Sequence, residues 1–337
     1  MWKPRTCAPG EAEGHDRLKN LPCRIDFGKP RWDQQYYSGR ARHFFTVTNP
    51  LKLLVSNAEL AKSEEIVTRY KRGETPDLTV DQLWHYKHTY DSAYHPETGE
   101  KLPLFGRMSS QMPVNMALTG SMLIAYNNVP VSMFLQFANQ SYNALVNYSN
   151  RSGSSPIPTS TLVTSYVLAT SGAMATVAGF NKIAKRFPPV IARFGPFAAV
   201  CAANAVNIPC MRSTELFNGT EVVDDKGRLV GRSKQAAVEG ISLVLISRIL
   251  MAAPGMVILP LMVEKMEKKG MFQARPWINP VFQILGCGAL LVFTTPLCCA
   301  IWPQQMSVRV DSLEPEIQQN AKRMGLTSEY LTYNKGL

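Results

Sequence analysis

Charge is nearly absent from long parts of this chain. Residues 108–150, 152–181, 194–211 and 276–308 hold no Asp, Glu, Lys or Arg, and 236–263 is broken only by Glu239 and Arg248. A soluble domain rarely goes so long uncharged, because its helices need a solvated face. A hydrocarbon core of about 30 Å needs roughly 20 mostly apolar residues per helix. The pattern therefore predicts spans near 160–181, 190–210, 236–263 and 277–303, and membrane helix within 112–149. In that last stretch 112–126 is apolar but short, "NNVP" (127–130) marks a break, and 131–149 predicts a helix. The pattern is compatible there with one span, a hairpin or a broken helix. The expectation is an all-α, polytopic helical membrane protein with about five transmembrane helices occupying 108–303.

The first third reads differently. Ser56 with Glu59 and Thr79 with Gln82 are capping boxes, predicting helices from there to about Lys71, stopped at Gly73, and to about Tyr94, stopped by "HPETGEK". Residues 26–107 are thus a polar, partly helical N-terminal region after a variable segment 1–25, and 304–337 is a C-terminal tail. The aromatic-basic mixture of 26–50 suits docking at a membrane interface or packing onto the following domain. The opening twenty residues lack the apolar core of a secretory signal.

Inside the uncharged run, Asn139, Asn143, Asn147 and Asn150 recur at spacings of four, four and three, within roughly 80° of one another on a helix. Gln140 and Tyr142 lie beside them. Polar side chains at membrane depth are costly unless they meet a partner helix or a wet cavity. The stripe is either a hydrogen-bonded seam, or a helix lying in the interface, or a neutral lining for a small hydrophilic solute. Amides suit a zwitterion, donating to its carboxylate and accepting from its ammonium. Asn204 and Asn207 repeat the theme in "AANAVNIP", where Pro209 interrupts the helix near its end, as a broken transporter helix or a proline-capped terminus. Arg248 is the only base near the middle of its span. A substrate carboxylate is one partner for it; Glu239 or backbone carbonyls are the other. Pro254 and Pro260 kink the same span.

The chain of 337 residues has a net charge of +11. The bases are spread between apolar spans, which suits loops facing an anionic membrane surface rather than nucleic acid. If 112–149 crosses once, loops 182–193 and 264–276 share the N-terminal side, and their lysines and arginines favour that side as the more negative one. Seven cysteines form no CxxC, and Cys298-Cys299 reads as small packing residues. The sequons at Asn139, Asn147, Asn150 and Asn218 read as chance, three of them lying on the amide stripe. His85, His88, Asp91 and His95 lack a metal-site pattern and read as a solvated helix face. Without a nucleophile elbow, phosphate loop or dinucleotide fingerprint, nothing points to an enzyme.

"DFGKPRWDQQYYSGRARHFFTVTNPLKLLVSN", "YDSAYHPETGEK", "GRMSSQMPVNM", "NQSYNALVNYSNRSG", "PFAAVCAANAVNIPCMR", "SRILMAAPGM", "TPLCCAIWPQ" and "YNKGL" together resemble a sideroflexin, from about Asp26 to Leu337. The resemblance implies a multi-pass protein of the mitochondrial inner membrane, without a cleaved presequence or cofactor. It implies transport of serine, with alanine or cysteine as further substrates, for one-carbon metabolism. Asn139, Gln140, Asn143, Asn147, Asn204, Asn207 and Arg248 would then face a shared cavity. The family's His-Pro-Asp-Thr signature stands here as His95-Pro96-Glu97-Thr98. Its two tryptophans before the amide stripe are replaced by Leu135 and Phe137, which changes a pocket wall or an interfacial anchor. The alternative the resemblance carries is a non-transporting scaffold in respiratory-complex or iron-related assembly.

Overall fold

The computed structural model of the chain describes residues 25–74, 77–95, 98–149, 159–184, 186, 189–273, 275–326 and 328–336. The chain divides into two compact units, one within 1–113 and 145–156, the other within 114–144 and 157–337.

The first unit holds α1 (Tyr37–Val47), α2 (Asn57–Lys71) and α3 (Val80–Asp91). Both predicted N-termini are capped as expected: Ser56 Oγ accepts from Glu59 N–H at 3.2 Å, and Thr79 and Gln82 form the full reciprocal box. Leu60, Val67, Tyr90, Ala93 and Tyr94 make one apolar cluster between α2 and α3; Ile25, Tyr70, Leu83 and Trp84 make another. The chain leaves α3 at Asp91, three residues before the expected end, and turns at the His-Pro-Glu-Thr segment. His95 Nδ1 accepts from Thr98 N–H at 3.2 Å, and His95 N–H donates to the Glu100 carbonyl at 2.8 Å. His95 and Thr98 therefore lie between the two legs of a small hairpin that meet at Tyr94 and Lys101. Pro96 and Glu97 lie outside the described residues.

The solvated-face expectation for the histidines holds for His85, which is exposed and pairs with Glu59 at 3.3 Å. It fails for His95, which is buried, and for His88, whose ring stacks on Trp32 (5.5 Å) and leans on Trp84 (5.4 Å). Burial first, then the charges of Lys52, Arg31 and Lys87, push the His88 pKa down to about 3. Between pH 6.5 and that value the unfolded chain binds a proton that the folded unit refuses, so stability falls as pH drops through this window. At pH 5 the loss is on the order of 1–2 kcal/mol, allowing for partial exposure of the ring. His43, whose pKa is also pushed down by burial, adds to the slope. Thermal unfolding of the detergent-solubilised protein by tryptophan fluorescence at pH 7 and pH 5 measures it. A His88→Phe variant, keeping a ring between the indoles, is expected to flatten most of the difference.

The other helices are α4 (Gln111–Ile124), α5 (Val129–Ser149), α6 (Thr159–Ala184), α7 (Pro189–Ala192), α8 (Gly195–Met211), α9 (Ser213–Asn218), α10 (Lys234–Ala253), α11 (Leu259–Lys268), α12 (Ile278–Cys299) and α13 (Pro315–Arg323). Among the described residues three helical runs, Thr159–Phe180, Lys234–Lys268 and Ile278–Cys299, are long and apolar enough to cross a membrane; Gly195–Met211 is apolar but shorter. The 21 residues of α5 span about 30 Å, with their apolar character diluted by the amides. The 112–149 segment is thus two helices, not one span. Asn128 Oδ1 accepts from Val131 N–H at 3.2 Å, and Ser132 Oγ donates to the Ala125 carbonyl at 2.8 Å across the bend. The orientation expected for loops 182–193 and 264–276 takes 112–149 as one crossing, and the two helices found there, the first of 14 residues, leave it as that expectation. Those two loops do meet: Arg193 pairs with Glu267, which accepts from Asn279 Nδ2 at 3.0 Å, and the Tyr126 ring lies 5.4 Å from the Arg193 guanidinium.

Pro209 does not interrupt its helix: α8 continues two residues past it. Its missing N–H affects only a carbonyl four residues earlier, so a proline this near a C-terminus deflects without breaking. The real irregularity is at Pro254–Ile258, a π turn joining α10 to α11 in one 35-residue run. Thr294 Oγ1 of α12 donates to the Met251 carbonyl there at 3.3 Å, the usual repair where a proline disturbs the ladder.

Two segments expected to be loop and tail fold together. β1 (Thr220–Val223), β2 (Leu229–Ser233), β3 (Gln305–Arg309) and β4 (Tyr330–Asn334) make an antiparallel sheet of order β2-β1-β4-β3. Val222, Val230, Val308, Leu331 and Tyr333 bury one face against Ile317 and Ala321 of α13 and Ala236 of α10. The sheet also caps α10: Ser233 Oγ accepts from Ala236 N–H, and Glu314 accepts from the N–H groups of Lys234 and Gln235. The helical fold expectation stands, with this small sheet added.

Candidate functional site

Where α5 lies in the second unit, its amides sit inside. Asn139 and Gln140 are 6% and 5% exposed and Asn143 is half-buried. The side chain of Asn147 and all of Asn150 lie outside the described residues. Just under one turn before Asn139 comes Gln136, 1% exposed, whose Nε2 reaches the Pro196 carbonyl only at 3.5 Å and whose Oε1 has no hydrogen-bond partner. Ser141 Oγ and Tyr166 Oη of α6 are 2.9 Å apart, and the Phe137 ring meets Tyr166 edge-on. On α6 itself, Ser165 Oγ and Thr170 Oγ1 are also buried and unpartnered. Buried polar atoms in native proteins are almost always satisfied, so each of these open atoms marks a place where water or a ligand completes its bonding.

Gln136 and Ser132 escape a count of asparagines although they continue the same period. Positions 132, 136, 139, 140 and 143 are one helical face at i, i+4, i+7, i+8 and i+11. The polar stripe therefore begins two turns earlier than the asparagines suggest.

A second polar group lies on α8 and α10, which pack together. They run antiparallel there: Arg212, just past α8, and Gly240, early in α10, both approach Lys335. Arg248 is eight residues beyond Gly240, while Asn204 and Asn207 are eight and five before Arg212, so all three lie on the order of 10 Å from that end. Each is half-buried. Arg248 makes no ion pair with Glu239 among the described residues, and Cys299 of α12 is within its electrostatic reach. Thus α8 and α10 bring Asn204, Asn207 and Arg248 to one depth. Among the described residues no hydrogen bond joins this group to the α5 amides.

Among the described residues no three His, Cys, Asp or Glu side chains gather as metal ligands. The residue that sequence reasoning misses most completely is Lys335: it is 3% exposed at the base of α10, and no periodicity marks it.

A family model for Sideroflexins matches residues 26–337. The chain is 51% identical over 321 residues to Sideroflexin-3 of Homo sapiens, covering 95% of this chain and 100% of that protein. It is 48% identical over 318 residues to Sideroflexin-1 of Mus musculus, covering 94% of this chain and 99% of that protein, and to Sideroflexin-1 of Ovis aries with the same coverage. No solved structure matches.

Proposed function

The chain belongs to the sideroflexin family, and from that premise we propose that it carries small neutral amino acids across the mitochondrial inner membrane, with serine the principal substrate and alanine or cysteine as competitors. The observation that carries the reading is the set of buried amides on α5, above all Gln136 with its unpartnered oxygen. A hydrogen-bonded seam would spend those groups on a neighbouring helix. A solute with its own donors and acceptors uses them only while it is bound, which is what a carrier needs. Neutral amides also fit a neutral zwitterion, since neither end then meets a like charge. The π turn at Pro254–Ile258 supplies the irregular backbone that transporter helices place near a substrate.

Radiolabelled serine uptake into liposomes containing the purified protein tests this. The expected result is saturable uptake reduced by excess alanine or cysteine. Absence of uptake by folded, correctly inserted protein removes the carrier reading.

A second reading, a non-transporting scaffold, is favoured by one feature of the first unit. Tyr36, Leu51, Leu54 and Phe105 are apolar side chains more than half exposed, a surface suited to a partner or to lipid. Stable co-purification with an assembly partner, without flux, would select it.

A further inference from the structure

Two short turns of the first unit carry their side chains the wrong way round for a surface that meets water. The helical turn at Pro50–Leu54 is capped by Asn49, whose Oδ1 accepts from Leu51 N–H at 3.0 Å. In so tight a turn residues three apart fall on one side, and Leu51 and Leu54 are 66% and 81% exposed. The lysine between them turns inward: Lys52 Nζ donates at 2.7 Å to Thr89 Oγ1 of α3, and Thr89 is fully buried. The turn at Leu104–Gly106 repeats the inversion. Leu104 and Phe105 are exposed, while Arg107, Ser109 and Ser110 directly after it are buried. Arg107 Nε donates to the Leu102 carbonyl at 3.3 Å, and Ser110 Oγ reaches the Phe105 and Arg107 carbonyls at 2.9 and 2.7 Å. Both turns pack on the turn at Met108–Ser110, so the four apolar side chains share one neighbourhood. Buried polar groups under large exposed apolar ones are the informative case in a burial pattern, and such a patch marks a place for a partner or a membrane.

What covers the patch follows from where the chain goes next. Helix α4 starts at Gln111, six residues after Phe105, inside the uncharged run 108–150. The far end of that run returns to the same turn: a Cβ built at Gly106 would stand 2.7 Å from Ser149 Cβ, at the end of α5. Leu145 and Tyr148, in the last turns of α5, are exposed as well. The uncharged segment therefore leaves the first unit and rejoins it beside the patch. Aromatic and aliphatic side chains gathered where apolar helices meet a polar domain suit the boundary between headgroups and acyl chains.

We propose that Leu51, Leu54, Leu104 and Phe105 form an apolar wedge that inserts into the headgroup–acyl boundary of the bilayer which the protein's own helices cross. Lys52, Arg107, Ser109 and Ser110, turned inward, keep their polar groups out of the acyl layer, where an unsatisfied group is costly. The wedge fixes the level at which the uncharged run begins and ends. It stands whether or not an amino acid is carried, and it gives to lipid the surface that a scaffold would offer to a protein partner.

Photocrosslinking of the full-length protein tests the wedge, with Leu54→p-benzoylphenylalanine and Phe105→p-benzoylphenylalanine made separately at these exposed positions. In vesicles of phosphatidylcholine and phosphatidylethanolamine, irradiation is expected to add the mass of a phospholipid to each variant. The control is Glu74→p-benzoylphenylalanine, an exposed acidic position just past the far end of α2, and its lipid adduct should be severalfold weaker. Leu51→Asp with Leu54→Asp is expected to leave the melting temperature in detergent unchanged, since both side chains are exposed. The same pair should cut the lipid adduct at position 105 severalfold. In native membranes the lipid adduct should again dominate. No adduct at either position, or as much at Glu74, overturns the wedge. An adduct in native membranes with another protein or with a second copy, in place of lipid, overturns it too and gives the surface to a partner.

Discussion

Replacing Gln136 and Asn139 together by leucine is expected to make the protein more heat-stable while cutting serine uptake on the order of 10- to 100-fold. The opposite signs are the point. Gln136 is 1% and Asn139 6% exposed, and Gln136 Oε1 has no partner. Leaving a buried amide unsatisfied costs about 1–3 kcal/mol. Leucine has as many side-chain heavy atoms as asparagine and one fewer than glutamine, so it removes that cost without adding length to either side chain. If the amides were a packing seam, the same change would break bonds between helices and lower stability. Melting temperature and uptake measured on one preparation therefore separate the two readings: up with down supports a lining, down with down a seam. Uptake unchanged in the double variant would leave these amides no part in transport.

How far the sequence announced this arrangement varies by element. The caps at Ser56 and Thr79 could be read because a capping box is local, needing only residues three apart. The apolar spans could be read because membrane depth imposes length and composition at once. The sheet could not be read with the same ease. Its strands are four or five residues long, and β1 pairs with β4 across more than a hundred residues of intervening chain. The alternation in "YLTYN" and the turn glycine in "DDKGR" are real signals, but each is too short to stand against the label of loop or tail. Arg248 announced itself as a charge in an apolar run. Lys335 did not, because a lysine near polar residues looks solvated until the fold closes over it. The amide face was legible in period, and its extension to Gln136 was visible once the face rather than the asparagine was counted. What a sequence cannot show is which helices meet: α8 packs on α10, while the α5 polar face reaches α6 through Ser141 and Tyr166 and the start of α8 through Gln136 and Pro196.

Gly120→Ala on α4 is expected to lower the yield of folded protein sharply and to resist rescue by trimming its neighbour. A Cβ at Gly120 would stand 2.8 Å from Ile284 Cα on α12, so the obstacle is backbone. The helices must move apart, at roughly 1–3 kcal/mol or more, and close approach of small residues is what holds helices together where lipid supplies no hydrophobic drive. Ile284→Ala removes side-chain atoms but leaves the Cα in place, so the double variant should recover only part of the loss. One turn along the same contact, a Cβ at Gly288 would collide with Met116, first at Sδ near the far end of a flexible side chain. There Met116→Ala clears the space, and Gly288→Ala with Met116→Ala should fold nearly as well as Met116→Ala alone. Gly179 of α6 has nothing within 4 Å of a built Cβ, and Gly179→Ala, gaining helix propensity of about 1 kcal/mol, should not fall below wild type. Monodisperse yield and melting temperature across these variants measure the effect. Full rescue of Gly120→Ala by Ile284→Ala would mean that side-chain crowding, not backbone approach, sets the distance between α4 and α12.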